Sequence, residues 1–390
     1  MSSVSPAESS SVDSAGIHPV VAGAAPGLYR VLADGPGETG GVLAGREVPS
    51  DETLLRLYRA MALVRAVDER MITLQRQGRI SFYGAATGQE AAVIGSGLAL
   101  EATDWVVPAL REGGIALLRG LSLSDYVNQL FGNGSDIEKG RQMPCHYGHR
   151  DVRYVTLSSC IANQLFHAVG ISLAARLRGD DTIAVGYMGD GATSEGDFHV
   201  AMEFAARLRA PVLLFCQNNQ WAISTGVRGQ TLAATMAQKA HGYGMDGYRV
   251  DGNDVLAVHA LTSHVVAEIR RTGRPAFVEA LTYRVGAHST SDDPSRYRDE
   301  SITERWKERD PLRRLRPLLE ARGLWDDARD AAFISDVAER LKAEVQRAEA
   351  DAPPSIDSLF DDVYAAVPPH LVAQREALRG STAHLKASSH

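Results

Sequence analysis

The spacing of apolar positions changes repeatedly along the chain, and each change marks an element. Behind the capping serine Ser50, the residues Leu54, Leu55, Tyr58, Met61, Leu63, Val67 and Met71 recur at helical spacing until Gly78 stops them. A second helical run covers 89–100. The apolar run 104–108 predicts a buried strand, with 109–114 as the loop at its end, and 123–131 is a short helix. After a long polar stretch, 132–153, a helix is expected over 159–178. The run 183–188 is a strand broken by Gly189-Asp190-Gly191. Phe198, Met202, Ala205 and Leu208 then share one helical face until Pro211, and 212–216 is a second strand ending in Gln217-Asn218-Asn219. The alternation continues with a helix at 233–241, a strand at 248–250, a helix at 255–271 and a strand over 276–285. A polar loop, 286–299, and helices rich in Arg and Glu follow. Strands alternating with helices predict an α/β fold whose parallel sheet is covered on both faces.

Residues 1–46, rich in Ser, Ala, Gly and Pro, read as a flexible arm, 47–300 as the α/β domain and 301–390 as its helical C-terminal extension. The net charge of −7 argues against nucleic acid or an anionic membrane as partner, and no apolar run reaches the roughly 20 residues of a membrane span. Three cysteines without metal spacing suit a reducing compartment. The arm carries Glu8 and Asp13 and no Lys or Arg before Arg30, the wrong pattern for a transit or signal peptide, so a cytoplasmic location is expected.

The unit at 181–225 brings chemistry to one place. In a βαβ unit the loops after both strands lie side by side at the carboxyl edge of the sheet. The Gly-Asp-Gly turn leads toward a helix N-terminus, whose free amides suit a phosphate. Asp190 offers a hard carboxylate oxygen and Asn219 an amide oxygen, a donor set for Mg²⁺ shared with a diphosphate rather than for zinc. The spacing of a dinucleotide fingerprint or a P-loop is absent from GDGATSEG.

Gly-Asp-Gly, 26 residues, then Asn-Asn resembles the thiamine-diphosphate motif. The segments RQGRISFY at 76–83, KGRQMP and HYG within 139–148, NN with AIST at 218–225, VDGND at 250–254 and HSTSDD with YR at 288–298 extend that likeness over nearly the whole chain. Together they resemble the α subunit of the thiamine-diphosphate-dependent decarboxylase component of branched-chain 2-oxo acid dehydrogenase complexes. The resemblance implies a thiamine-diphosphate-binding fold. It implies oxidative decarboxylation of a branched-chain 2-oxo acid and reductive acylation of a lipoyl group on a transacylase. It also implies a β subunit in an α2β2 heterotetramer, because only one such domain is recognisable here. Residue by residue, it places Asp190, Asn219 and the main-chain carbonyl of Trp221 on Mg²⁺. Arg111, Gly189, Gly191 and Ala192 fall on the diphosphate side, and Ser159 and Ile161 near the aminopyrimidine. His288 would be the catalytic histidine, and Ser158, Asn163 and Gln164 match the surroundings of an optional K⁺.

This chain departs from the family at Leu110, where Tyr is usual, and at Gln217, a cofactor-side position where the closest relatives have Arg. Cys160 replaces Pro, and Asn163 replaces Thr. The same chemistry on pyruvate or acetoin is the nearer alternative, and a non-catalytic scaffold the farther one. The loop after the last strand has almost nothing apolar to bury, so the expectation is that bound Mg²⁺ and diphosphate order it, with Arg284, Asp292, Tyr297 and Arg298 closing a polar network behind His288.

Overall fold

Successive strand residues point into two different cores. The computed structural model describes residues 17–19, 27–32 and 47–387, and the rest of the N-terminal arm lies outside the described residues. Strands β1 (Trp105–Val107), β2 (Ala184–Gly189), β3 (Val212–Asn218), β6 (Asp246–Asp251) and β7 (Ala276–Leu281) form one sheet, order β1-β2-β3-β7-β6, in which every pair is parallel. A small antiparallel hairpin, β4 (Trp221–Ala222) with β5 (Thr225–Gly226), stands apart from it.

On one face Val185, Tyr187, Leu213, Phe215, Val278 and Ala280 pack with helices α1 (Asp51–Arg76), α2 (Glu90–Leu98) and α8 (Val255–Thr272). On the other, Ala184, Met188, Val212, Leu214, Cys216 and Phe277 meet α5 (Asn163–Leu177) and α6 (Gly196–Leu208). Both faces being covered, the strands read as continuous apolar runs. A buried side chain such as Phe215 contributes about 1.5–3 kcal/mol, and truncating it to Ala would cost about 3–5 kcal/mol.

Caps fix where the helices begin. Ser50 Oγ accepts from Thr53 N (3.3 Å), and Asp51 and Glu52 complement the first turn of α1. Asp254 caps α8 through Leu256 N and Ala257 N (3.1 and 3.0 Å), while its second oxygen accepts from Val31 N and Leu32 N (2.7 and 2.5 Å). That shared carboxylate docks residues 27–32 against the sheet edge. Helices α9 (Glu300–Lys307), α10 (Pro311–Ala321) and α11 (Asp327–Ala350) follow the last strand. Leu315, Leu319, Val337, Leu341 and Val345 enter the same core as α1. No helix among the described residues is long and apolar enough to cross a membrane.

Four stretches differ from the pattern-based expectation, one being the last strand, which ends at Leu281 rather than at 285. Residues 109–114 are not all loop, since α3 (Gly113–Leu118) starts there. A Cβ on Gly114 would stand 2.6 Å from Val64, so glycine here serves close helix packing rather than a turn. The helix expected over 159–178 begins at Asn163, because Ala162 adopts a left-handed φ of 71°. The stretch read as helix from 233 becomes a 3₁₀ turn over Ala237–Tyr243, whose Ala237 N donates to Glu279 Oε2 (3.0 Å).

Candidate active site

The parallel ladder pairs Gly189 with Gln217, so the turns after β2 and β3 emerge together at the carboxyl edge. Asp190 there is completely buried. Its Oδ2 accepts from Gln230 Nε2 (2.8 Å), while Oδ1 has no hydrogen-bond partner. Burial raises its pKa to about 6, against the pull of the Gln230 hydrogen bond, of the nearby backbone N–H groups of Asp190 and Asn219, neither in hydrogen-bond geometry to Oδ1, and of Arg284. The α-helix does not follow directly: a 3₁₀ turn, Asp190–Ser194, intervenes before α6. The amides beside Asp190 therefore belong to that turn, a correction to the expected helix N-terminus. Gly191 is required in it, since a Cβ would lie 2.7 Å from that of Ala222 in the hairpin above.

Asn219 sits beside this turn. Its Oδ1 accepts from Trp221 N (3.2 Å) and its Nδ2 donates to Gln89 Oε1 (3.1 Å). The Trp221 carbonyl accepts from Arg284 Nη1 (3.3 Å). Arg284 is almost fully buried and also donates to Ile223 O and Tyr297 OH (both 2.7 Å). Arg111, at the end of the β1 loop, donates to Ala85 O and to His288 O (2.8 Å). Burial, and then Arg284, lower its pKa to about 10. Neither guanidinium forms an ion pair with a carboxylate among the described residues. Two buried cations that repel each other, one of them, Arg284, within Coulomb reach of the Asp190 carboxylate, make a site that fits a divalent cation held against an anion.

His288 belongs to the same cluster. Its backbone N–H donates to Asp292 Oδ2 (2.7 Å), which also accepts from Tyr297 OH (2.5 Å). Arg298 donates to the carbonyls of Arg284 and Val285 (2.7 and 2.9 Å). The network expected behind His288, joining Arg284, Asp292, Tyr297 and Arg298, is thus present. Burial, then Arg111 and Arg284, lower the His288 pKa to about 4, so the imidazole is neutral near pH 7.

The other expected residues lie at the turn into α5. Ser159 Oγ meets His146 Nε2 (2.5 Å), Ser158 Oγ accepts from Cys160 N (3.3 Å), and Ile161 is 60% exposed. Asn163 Oδ1 and Gln164 Oε1 are buried acceptors without donors, as a bound cation would leave them. Gln217 Nε2 donates to Oε1 of buried Glu112, the neighbour of Arg111, and burial lifts Glu112 to about 7. Leu110 packs over Gly84, where a Cβ would come 3.0 Å from its Cγ.

Sequence reasoning did not single out Gln230 or Gln89, and it gave Arg284 a place only in the loop network. Nothing local marks them, because each meets its partner only after folding.

A family model described as the dehydrogenase E1 component matches residues 58–357. The chain is 42% identical over 354 residues to the 2-oxoisovalerate dehydrogenase subunit alpha 2, mitochondrial, of Arabidopsis thaliana, covering 90% of this chain and 74% of that one. It is 40% identical over 351 residues to the 3-methyl-2-oxobutanoate dehydrogenase subunit alpha of Mycobacterium tuberculosis, covering 87% and 89%. It is 39% identical over 354 residues to the 2-oxoisovalerate dehydrogenase subunit alpha, mitochondrial, of Bos taurus, covering 90% and 77%. Matched over most of its length by that family model and by these relatives, the chain is a member of the dehydrogenase E1 component family, which is thiamine-diphosphate-dependent.

Proposed function

We propose that this chain is the α subunit of a branched-chain 2-oxo acid dehydrogenase (decarboxylating). It acts with a β subunit on 3-methyl-2-oxobutanoate and related acids, and delivers the acyl group to a lipoyl arm on a transacylase. When bound, thiamine diphosphate supplies the electron sink for loss of CO₂. The chain's own residues hold, neutralise and orient. Asp190 Oδ1, with Asn219 and the Trp221 carbonyl, would hold Mg²⁺, which favours hard oxygen donors. Arg111 and Arg284 would neutralise the diphosphate, their planar forks suiting its oxygens. Gly189, Gly191 and Ala192 would let the backbone approach it closely. Ser159 and Ile161 would face the aminopyrimidine, and Asn163 and Gln164, with Ser158, would take K⁺. His288, neutral and held by Asp292, can donate to or accept from the reacting groups.

The observation that carries this reading is the buried, donor-less oxygen of Asp190 near Arg284, which with Arg111 makes a pair of buried guanidiniums that lack a carboxylate partner. The test is the αβ assembly given 3-methyl-2-oxobutanoate. Decarboxylation is expected only when thiamine diphosphate and Mg²⁺ are both supplied, with pyruvate a poorer substrate. An assembly that binds no thiamine diphosphate contradicts the reading. One that prefers pyruvate overturns the substrate class alone.

A further inference from the structure

Asp68, on the inward face of α1, takes no part in the contacts described above, yet two of the cofactor-side loops lead back to it. Its carboxylate is 2% exposed and has no cation in contact among the described residues. Arg65, one turn away, is committed to Glu90 and Asp310 (2.5 and 2.8 Å). Asp68 instead takes three hydrogen bonds: Oδ1 from Tyr83 OH (2.8 Å), and Oδ2 from Ala86 N (2.8 Å) and Thr87 Oγ1 (3.0 Å).

All three donors belong to 83–87, a segment that is neither helix nor strand, so no backbone ladder holds it in place. The same segment is what the cofactor-side groups grip. Tyr83 N donates to Thr290 Oγ1 (3.2 Å) and Thr290 N to Tyr83 O (3.1 Å). Arg111 spans from Ala85 O to His288 O. The path from rigid helix to reacting loop therefore runs Asp68, 83–87, then Arg111 and Thr290.

When ionised, a carboxylate is an acceptor-only group able to take all three donors, whereas an amide keeps the Ala86 and Thr87 bonds only by turning its N–H toward Tyr83 OH, which must then stop donating. Burying a charge without a cation in contact is costly, and that burial, with the like charge of Glu90, lifts the Asp68 pKa to about 7 despite its hydrogen bonds, although Arg111 stands within Coulomb reach. Packing alone would favour an apolar residue here. We infer that Asp68 is a positioning residue, clamping 83–87 to α1 and thereby setting where Arg111 and the His288 loop stand. The inference rests on the cofactor reading given above.

Asp68→Asn, assembled with the β subunit, tests it. Without cofactor, amide exchange across 83–87 and 288–292 should rise at least about tenfold while β2 and α6 keep the parent's protection. Thiamine diphosphate should bind about 10–100-fold more weakly at saturating Mg²⁺, the scale seen when supporting contacts to a site are lost. Its apparent KM should rise by more than kcat falls. Thr87→Val, which removes one donor only, should move the same readouts less, and it decides the matter if the Asn variant does not assemble. Parent-like exchange at 288–292, or loosening spread evenly over the sheet, overturns the inference. If the parent itself binds no thiamine diphosphate, the cofactor reading fails, and the exchange comparison still decides the role of Asp68.

Discussion

The two halves of the candidate site are held in place by different physics. Asp190 and Asn219 stand at the ends of strands whose residues are almost all buried, so their positions follow from the packing of Tyr187, Met188, Phe215 and Cys216 beneath them. His288 stands on a loop of partly exposed residues with no such core. Asp292 holds it by accepting from its backbone N–H, Arg298 donates to the carbonyls that lead into the loop, and Arg111 and Thr290 tie the loop to the chain opposite. A site fixed by apolar packing tolerates loss of a polar side chain without moving. A site fixed by hydrogen bonds does not. Substitutions on the first half should therefore change chemistry at constant geometry, and those on the second should also change order.

The largest effect expected is on the reaction itself. His288→Ala in the αβ assembly should cut turnover about 10²–10⁴-fold, the range for a positioned acid–base or oxyanion group, while cofactor affinity changes little. Steady-state rates beside calorimetric titration check both, and an unchanged rate removes the imidazole from the reaction.

Next comes a stability effect on the packed half. The folded-state pKa of Asp190 is raised from 3.8 to about 6, so the folded protein is penalised for ionising it. That penalty is absent below about pH 3.8, grows as pH rises to 6, and is complete above, amounting to about 3 kcal/mol. Without cofactor, Asp190→Asn should therefore unfold at higher denaturant than the parent at pH 7, and the advantage should shrink as pH falls through that window. A variant less stable than the parent at pH 7 would mean that the carboxylate is a structural partner.

The smallest effect sharpens the other side. Asp292→Asn keeps size but weakens the hold on His288 N and Tyr297 OH. Exchange across 287–292 should quicken and turnover fall about tenfold, with the β2 and β3 amides unchanged. Equal exchange in parent and variant would put the loop's order elsewhere.

This contrast also explains what was legible in the sequence. The β2–turn–α6–β3 unit could be read because its signals are local: apolar runs, a glycine turn and polar strand ends within one short stretch. The Asp292–Tyr297 link is equally local. Contacts that span the fold were not visible in this way. Gln230 reaches Asp190 across 40 residues, Arg111 reaches His288 across 177, and Asn219 reaches Gln89 across 130. Glycine misled at 113–114, where Gly-Gly signals a turn yet serves a helix packed tightly on Val64. The unmatched acceptors Asn163 Oδ1 and Gln164 Oε1 became visible only once burial was known.

The central claim is that the donor-less oxygen of Asp190 is where the divalent cation binds, and calorimetric titration of Mg²⁺ into the αβ assembly at saturating thiamine diphosphate tests it most directly. The parent should take up one ion per α subunit, and Asp190→Asn, with the fold intact by circular dichroism, should bind it at least about 100-fold more weakly, as expected when a charged ligand of a hard cation is lost. Equal Mg²⁺ affinity in the two proteins would contradict the account.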